Sequence, residues 1–192
     1  MKLRESGMPE EAYWETLFDV PLILDRLRID ASIGDVAELG CGYGTFTLPV
    51  AQRIRGRVFA FDVERGMVAR TQRRAREIGL ANVVAECRDV LVDGYGLPPA
   101  SVDGCLLFNI LHGEEPVRLL EQAASIVRPE GCVWAIHWRY DPTTPRGPSM
   151  DIRPRPEQIA VWVEATSALV REGPLVDLPP WSYGWRFRVR QV

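Results

Sequence analysis

The chain has 192 residues, 46% of them hydrophobic and 9% aromatic, with 23 basic and 26 acidic side chains giving a net charge of −3. That length reads as one domain, able to bury about 70% of the surface of its unfolded form without disulfide staples. The mild acidity excludes a protein that coats nucleic acid by phosphate neutralisation, and with Lys2 as the single lysine, pyridoxal-phosphate enzymes and P-loop NTPases have no candidate amine.

In chain order, Tyr13, Trp14, Leu17 and Phe18 recur at helical spacing, and Pro21 opens a second turn through Leu22, Leu24 and Leu27. The spacing then predicts a strand over Asp35–Leu39, a helix over Thr45–Ile54, a strand over Arg57–Phe61 and a helix over Glu64–Ile78 stopped by Gly79. Val83–Cys87 is the next strand, and the nearly all-apolar Val102–Phe108 fits a parallel strand covered on both faces. Pro116 starts a helix with the stripe Val117, Leu120, Ala124 and Val127, closed by Pro129 and Gly131, and Cys132–Trp138 is a fifth strand. A Pro- and Arg-rich loop from Arg139 to Pro156 precedes a helix over Gln158–Val170. Pro174–Leu178 and Trp185–Val192 then suggest a terminal antiparallel hairpin.

Alternation of this kind predicts an α/β fold, Rossmann-like and doubly wound, with a mostly parallel seven-stranded sheet and a C-terminal antiparallel hairpin. Residues 1–33 form a short helical cap, 34–138 the ligand-binding core and 139–192 a substrate loop, helix and hairpin, all in one domain. The cysteines at 41, 87, 105 and 132 form no CxxC pair and read as small core hydrophobes, so no metal site is expected. Met1 to Glu11 holds no apolar run, and no stretch of about 18 apolar residues occurs, so the expectation is a cytoplasmic protein without a membrane partner.

The strand-to-helix junction reads Val36-Ala37-Glu38-Leu39-Gly40-Cys41-Gly42-Tyr43-Gly44-Thr45, with glycines at alternate positions. Glycine belongs where backbone turns with positive φ or meets a ligand closely, but a tight structural turn explains the same pattern. Asp62 ends the second strand 22 residues after Gly40, where a carboxylate can accept both hydroxyls of a ribose, and Asp89 adds an acid at the same sheet edge.

From about Gly34 to Trp138 the chain resembles the class I S-adenosylmethionine-dependent methyltransferases, close to the type 11 group. The resemblance implies that Glu38, Gly40, Cys41, Gly42 and Gly44 wrap the methionine end of the cofactor. By the same resemblance Asp62 grips the ribose, Val63 packs on the adenine, and Asp89 with Val90 holds the adenine amino group. The strand end Phe108-Asn109-Ile110-Leu111-His112 would face cofactor and acceptor, with Asn109 on the cofactor. Arg128-Pro129-Glu130-Gly131 resembles the family's Arg-Pro-Gly-Gly turn, departing from it at Glu130. The implied activity is methyl transfer from S-adenosylmethionine, leaving S-adenosylhomocysteine, to an acceptor the resemblance does not name; the absence of nucleic-acid methylation motifs favours a small molecule over a nucleic acid. A homodimer is one way to complete the acceptor site.

Two other classes share these elements. A nicotinamide-dependent oxidoreductase uses a GxGxxG turn, but position 45 is Thr and there is no Tyr-x-x-x-Lys pair. A non-catalytic S-adenosylmethionine-binding interaction protein would keep the loop and lose the chemistry.

Methyl transfer is an in-line displacement, so the protein supplies orientation and a base for an acceptor that carries a proton. His112 and His137 end the strands bordering the expected pocket, and Asp141 is placed to orient a histidine. Each histidine equally fits a structural role as a helix cap or a half-buried side chain. In the loop, Tyr140 is a candidate for bonding an acceptor, and Arg146, Arg153 or Arg155 for taking a carboxylate or phosphate. Solvated arginines on a proline-stiffened connector are the alternative. Arg65, Arg70, Arg73, Arg74 and Arg76 read as a solvated helix face, and neither an Asn/Asp-Pro-Pro-aromatic motif after strand four nor a Pro-Cys nucleophile is present.

Overall fold

The computed structural model describes residues 8–191, so Lys2 lies outside the described residues. The chain opens with helices α1 (Glu11–Glu15) and α2 (Val20–Arg26). The Asp19 side chain accepts from the Leu22 backbone N–H at 3.1 Å and Pro21 sits in the first turn of α2, a capped start for a short helix.

Alternation then runs as expected through β1 (Val36–Leu39), α3 (Thr47–Arg53), β2 (Val58–Asp62), α4 (Arg65–Glu77) and β3 (Val83–Cys87), after which comes a four-residue helix that the sequence pattern does not predict, α5 (Val90–Asp93). β4 (Val102–Phe108), α6 (Pro116–Ile126), β5 (Val127–Trp138) and α7 (Pro156–Ala165) follow, and three short strands, β6 (Leu169–Arg171), β7 (Val176–Leu178) and β8 (Ser182–Val189), end the fold.

All eight strands join one sheet in the order β3-β2-β1-β4-β5-β8-β6, and β7 pairs with β8. Pairings among β1 to β5 are parallel, while β8 runs antiparallel to β5, β6 and β7. The chain thus winds outward from β1 to β3, returns across β1 to β4 and winds the other way. The sheet has eight strands where seven were expected because the helix expected to reach Val170 stops at Ala165. Ser167 turns out with φ of 53°, and Leu169 becomes buried by pairing opposite Val189.

Strand alternation divides the core between the two faces. Ala37, Leu39, Cys105, Leu107, Val133 and Ala135 pack toward α6 and α7, whereas Val36, Val58, Ala60, Leu106, Trp134 and Ile136 pack toward α2, α3 and α4. Each fully buried Leu, Ile or Val contributes roughly 1.5–3 kcal/mol. Trp134 reaches across its face to donate to the Leu27 carbonyl at 3.0 Å, which ties the N-terminal cap to the sheet. Its ring fits because position 104 is glycine: a Cβ there would lie 2.1 Å from the indole.

One expectation about the cysteines is corrected. Cys41 and Cys105 are buried, but Cys132 is half-buried and Cys87 is exposed, since β3 is the sheet edge and its side chains lack a covering neighbour. Among the described residues no helix is long and apolar enough to cross a membrane.

Candidate functional site

The strand order reverses between β1 and β4, which opens a crevice at their carboxyl ends, and the glycine loop crosses it. Gly40, Gly42 and Gly44 take φ of 78°, 52° and 80°, a region closed to most side chains, so the loop turns three times in five residues.

The loop is held from two sides. Gly40 and Cys41 donate to the Phe61 carbonyl at 2.7 and 3.1 Å, and Gly42 N–H donates to Asp62 Oδ2 at 2.9 Å. From α4, Thr71 donates to the Gly42 carbonyl at 2.9 Å and Arg74 to the Tyr43 carbonyl at 2.8 Å.

Beneath the loop, Glu38 is buried and accepts from the Thr47 hydroxyl. Burial, aided by the Asp62 charge and opposed by the Thr47 bond, pushes its carboxyl up to about 8.

Above the loop lies a cavity of about 280 Å³. Of the cofactor residues implied by the resemblance, Gly40, Cys41, Gly42, Asp62, Val63 and Asn109 line it, and Glu38, Gly44, Asp89 and Val90 do not. Asp89 caps α5, accepting from Leu91 and Val92 N–H at 3.1 and 3.4 Å, and Val90 is core.

Each Asp62 oxygen already accepts one backbone N–H, Oδ2 from Gly42 and Oδ1 from Glu64, both at 2.9 Å. A carboxylate offers about four lone-pair sites, so two stay open for a diol.

Asn109 stands at the end of β4 with φ of 56°, and both atoms of its side-chain amide are buried without a hydrogen-bond partner. The Thr45 hydroxyl, in the same cavity, is likewise buried and unpartnered. Such groups cost about 1–3 kcal/mol each when left unsatisfied, so they mark where a ligand's polar atoms belong. An amide acceptor and donor beside a hydroxyl matches the ammonium and carboxylate of an amino-acid end. Thr45 is not among the residues that the resemblance implies for the cofactor. Its position directly after the third glycine was the available signal.

The two histidines come together. His137 is fully buried on β5, and its Nε2 lies 3.3 Å from His112 Nδ1 with the rings edge to face. Burial, then the neighbouring His112, hold His137 well below the usual imidazole range, and its Nδ1 has no hydrogen-bond partner. His112 lines this cavity and also a second one beneath the 139–156 loop.

The loop candidates separate. Asp141 does not reach a histidine: its carboxylate accepts from Thr143 N–H at 2.8 Å and from the Thr143 hydroxyl at 2.7 Å, bonds that hold it below the usual carboxylate range. A short hydroxylated neighbour two residues away outcompetes a distant imidazole, giving a local Asx turn. Tyr140 lines the second cavity with Arg155 stacked 3.6 Å over its ring. Arg146 lines the first cavity, while Arg153 is buried among loop carbonyls. From β8, the Tyr183 hydroxyl donates to the Pro154 carbonyl at 2.8 Å and ties the end of the loop to the sheet.

Comparison with known proteins gives three findings. Residues 36–131, half of the chain, match the methyltransferase domain family. Over 77 residues the chain is 39% identical to the 23S rRNA (uracil(1939)-C(5))-methyltransferase of Alcanivorax borkumensis, covering 40% of this chain and only 17% of that enzyme. Among solved structures, a SAM-dependent methyltransferase from Aquifex aeolicus superposes with a TM-score of 0.81 at 21% identity over 94% of both chains. Magnesium protoporphyrin IX methyltransferase from Synechocystis PCC 6803, with bound SAH, gives 0.71 at 15% identity over 98% of this chain and 91% of that one. With the glycine loop, the order reversal at β1 and β4 and the family match agreeing, the chain belongs to the methyltransferase domain family, on the Rossmann-like fold of the class I S-adenosylmethionine-dependent methyltransferases.

Proposed function

We propose that this chain transfers a methyl group from S-adenosylmethionine to a small-molecule acceptor whose nucleophilic atom carries a proton, with His112 receiving that proton. The observation that carries this reading is one cavity in which the unpartnered Asn109 amide and Thr45 hydroxyl stand beside the glycine loop while His112 opens onto the same space. When bound, S-adenosylmethionine supplies an electrophilic methyl on a sulfonium, and the carbon–sulfur bond breaks to leave the neutral thioether of S-adenosylhomocysteine.

The chain's own work is positioning. Asp62 offers its open lone pairs to the ribose hydroxyls, and Asn109 and Thr45 hold the amino-acid end. His112 takes the acceptor proton as the new bond to carbon forms. His137, neutral and buried, fixes the His112 ring through the contact between their nitrogens and acts as a positioning residue.

The relative that acts on ribosomal RNA suggests a nucleic-acid acceptor as a second reading. Against it, Arg70 and Arg74 on α4 are neutralised by Glu11 and Glu15 and are not offered to phosphates.

The test is calorimetric titration with S-adenosylmethionine, S-adenosylhomocysteine and NADPH. The wild-type chain is expected to bind the first two and not the third. Asp62→Ala is expected to weaken S-adenosylmethionine by about 10- to 150-fold, the worth of charge-assisted bonds of roughly 1.5–3 kcal/mol. Unchanged affinity in that variant, or a nicotinamide as the only ligand, contradicts the proposal.

A further inference from the structure

The segment between β5 and α7 carries arginines at 139, 146, 153 and 155, and the structure occupies three of them. Arg139 pairs with Asp177 and donates to the Ser182 carbonyl. Arg153 is spent on backbone carbonyls and the Thr144 hydroxyl. Arg155 lies flat on Tyr140, outside the cofactor cavity. Arg146 is different. It lines that cavity, its guanidinium sits 5.8 Å over the Tyr13 ring, and among the described residues no carboxylate lies within ion-pairing distance of it.

The cavity is therefore polarised. Asp62 and Glu64 enter it from the end of β2, and Arg146 from beyond the end of β5. Aromatic rings form part of its walls: Trp14 and Trp138 pack edge to face with centroids 6.0 Å apart, and Phe46 and Phe108 at 5.0 Å. A planar apolar body fits such walls, and an anion fits their rim.

We infer that the methyl acceptor is an aromatic carboxylate, with its ring against Trp14, Phe108 and Trp138 and its carboxylate on Arg146. A single guanidinium fork matches one carboxylate in bidentate fashion, whereas a phosphate dianion calls for further cations, and the neighbouring arginines are already committed. The inference rests on the methyl-transfer reading, because it assigns the acceptor a place beside the cofactor in the same cavity.

The experiment uses the full chain saturated with S-adenosylhomocysteine, titrated with salicylate, hydroxycinnamate and indole acetate and with the neutral primary amide of each. At least one carboxylate is expected to bind, with its amide at least about tenfold weaker. Arg146→Met is expected to bring the carboxylate down to the affinity of its amide, with an unchanged thermal midpoint because this side chain is exposed. Arg155→Met is expected to leave carboxylate affinity as it was. Amides binding as tightly as carboxylates, no loss in Arg146→Met, an equal loss in Arg155→Met, or no carboxylate bound by the loaded protein would each overturn the inference. In all of those the methyl-transfer reading survives, whereas failure to bind S-adenosylhomocysteine at all removes both.

Discussion

Two buried titratable groups on the same sheet, Glu38 on β1 and His137 on β5, give the stability of this protein opposite pH dependences. Glu38 sits under the glycine loop with its carboxyl raised to about 8, so folding favours its neutral form. Its contribution is fully present below the unfolded carboxyl value of about 4.5 and is lost as pH rises through about 8. His137 is lowered, so its neutral form is the one that folds, and stability falls as pH drops below the ordinary imidazole value of about 6.5. Glu38→Gln keeps an oxygen to accept from Thr47 and removes the charge. Its thermal midpoint is expected to decline less than that of wild type between about pH 5 and about pH 8, measured in buffers of constant ionic strength. Parallel pH profiles for the two proteins would show that Glu38 is not the group that titrates.

At the scale of the element, the loop from Arg139 to Arg155 has no strand or helix of its own, and a single side chain organises it. Arg153 donates to the Pro148 carbonyl through Nε at 3.0 Å and Nη2 at 2.8 Å, to the Arg139 and Asp141 carbonyls at 3.0 and 3.1 Å, and to Arg146 at 3.3 Å. Buried carbonyls need donors, and the rigid fork of arginine serves several at once, which the point charge of lysine cannot. Arg153→Met is expected to destabilise by about 2–4 kcal/mol in denaturant titration and to speed proteolysis within residues 139–152. Arg153→Lys is expected to restore only part of the loss. A loop equally resistant to protease in both variants would mean that its prolines hold it without the arginine.

At the scale of the whole molecule, the first helix closes the cavity without belonging to the core. α1 buries no residue. It is held by Glu11 to Arg70 at 2.6 Å and to Arg74 at 3.0 Å, and by Glu15 to Arg74 at 2.7 Å, while the Tyr43 hydroxyl donates to the Pro9 carbonyl at 2.9 Å. Met8, Pro9 and Trp14, carried by this segment, line the cavity. The cover is fastened by exposed or half-exposed ion pairs, each worth about 0.2–1 kcal/mol and screened by salt. Glu11→Gln is accordingly expected to speed S-adenosylhomocysteine dissociation by about two- to fivefold in stopped-flow measurements at low salt, a difference that shrinks at high salt. Equal rates at both salt concentrations would show that the aromatic packing of Trp14, not the ion pairs, holds the cover.

What the sequence determined by itself was everything written in local pattern. Parallel strands buried on both faces must be runs of apolar residues, so β4 was legible to the residue, and a backbone with alternating positive φ must be glycine, so the loop over the cavity was legible as well. Tertiary structure decided whatever depends on competition between distant partners. Ser167 breaking the last helix and Leu169 pairing with Val189 added an eighth strand, because burial on β8 outweighs helix propensity. Glu38 and Asp89 proved to be held by Thr47 and by the α5 backbone, away from the cavity lining. The histidines met each other while Asp141 turned to Thr143. Of the arginines written identically into one loop, only the fold could show that Arg153 is consumed by carbonyls and that Arg146 is left facing the site, since a guanidinium's role is set by which acceptors reach it first.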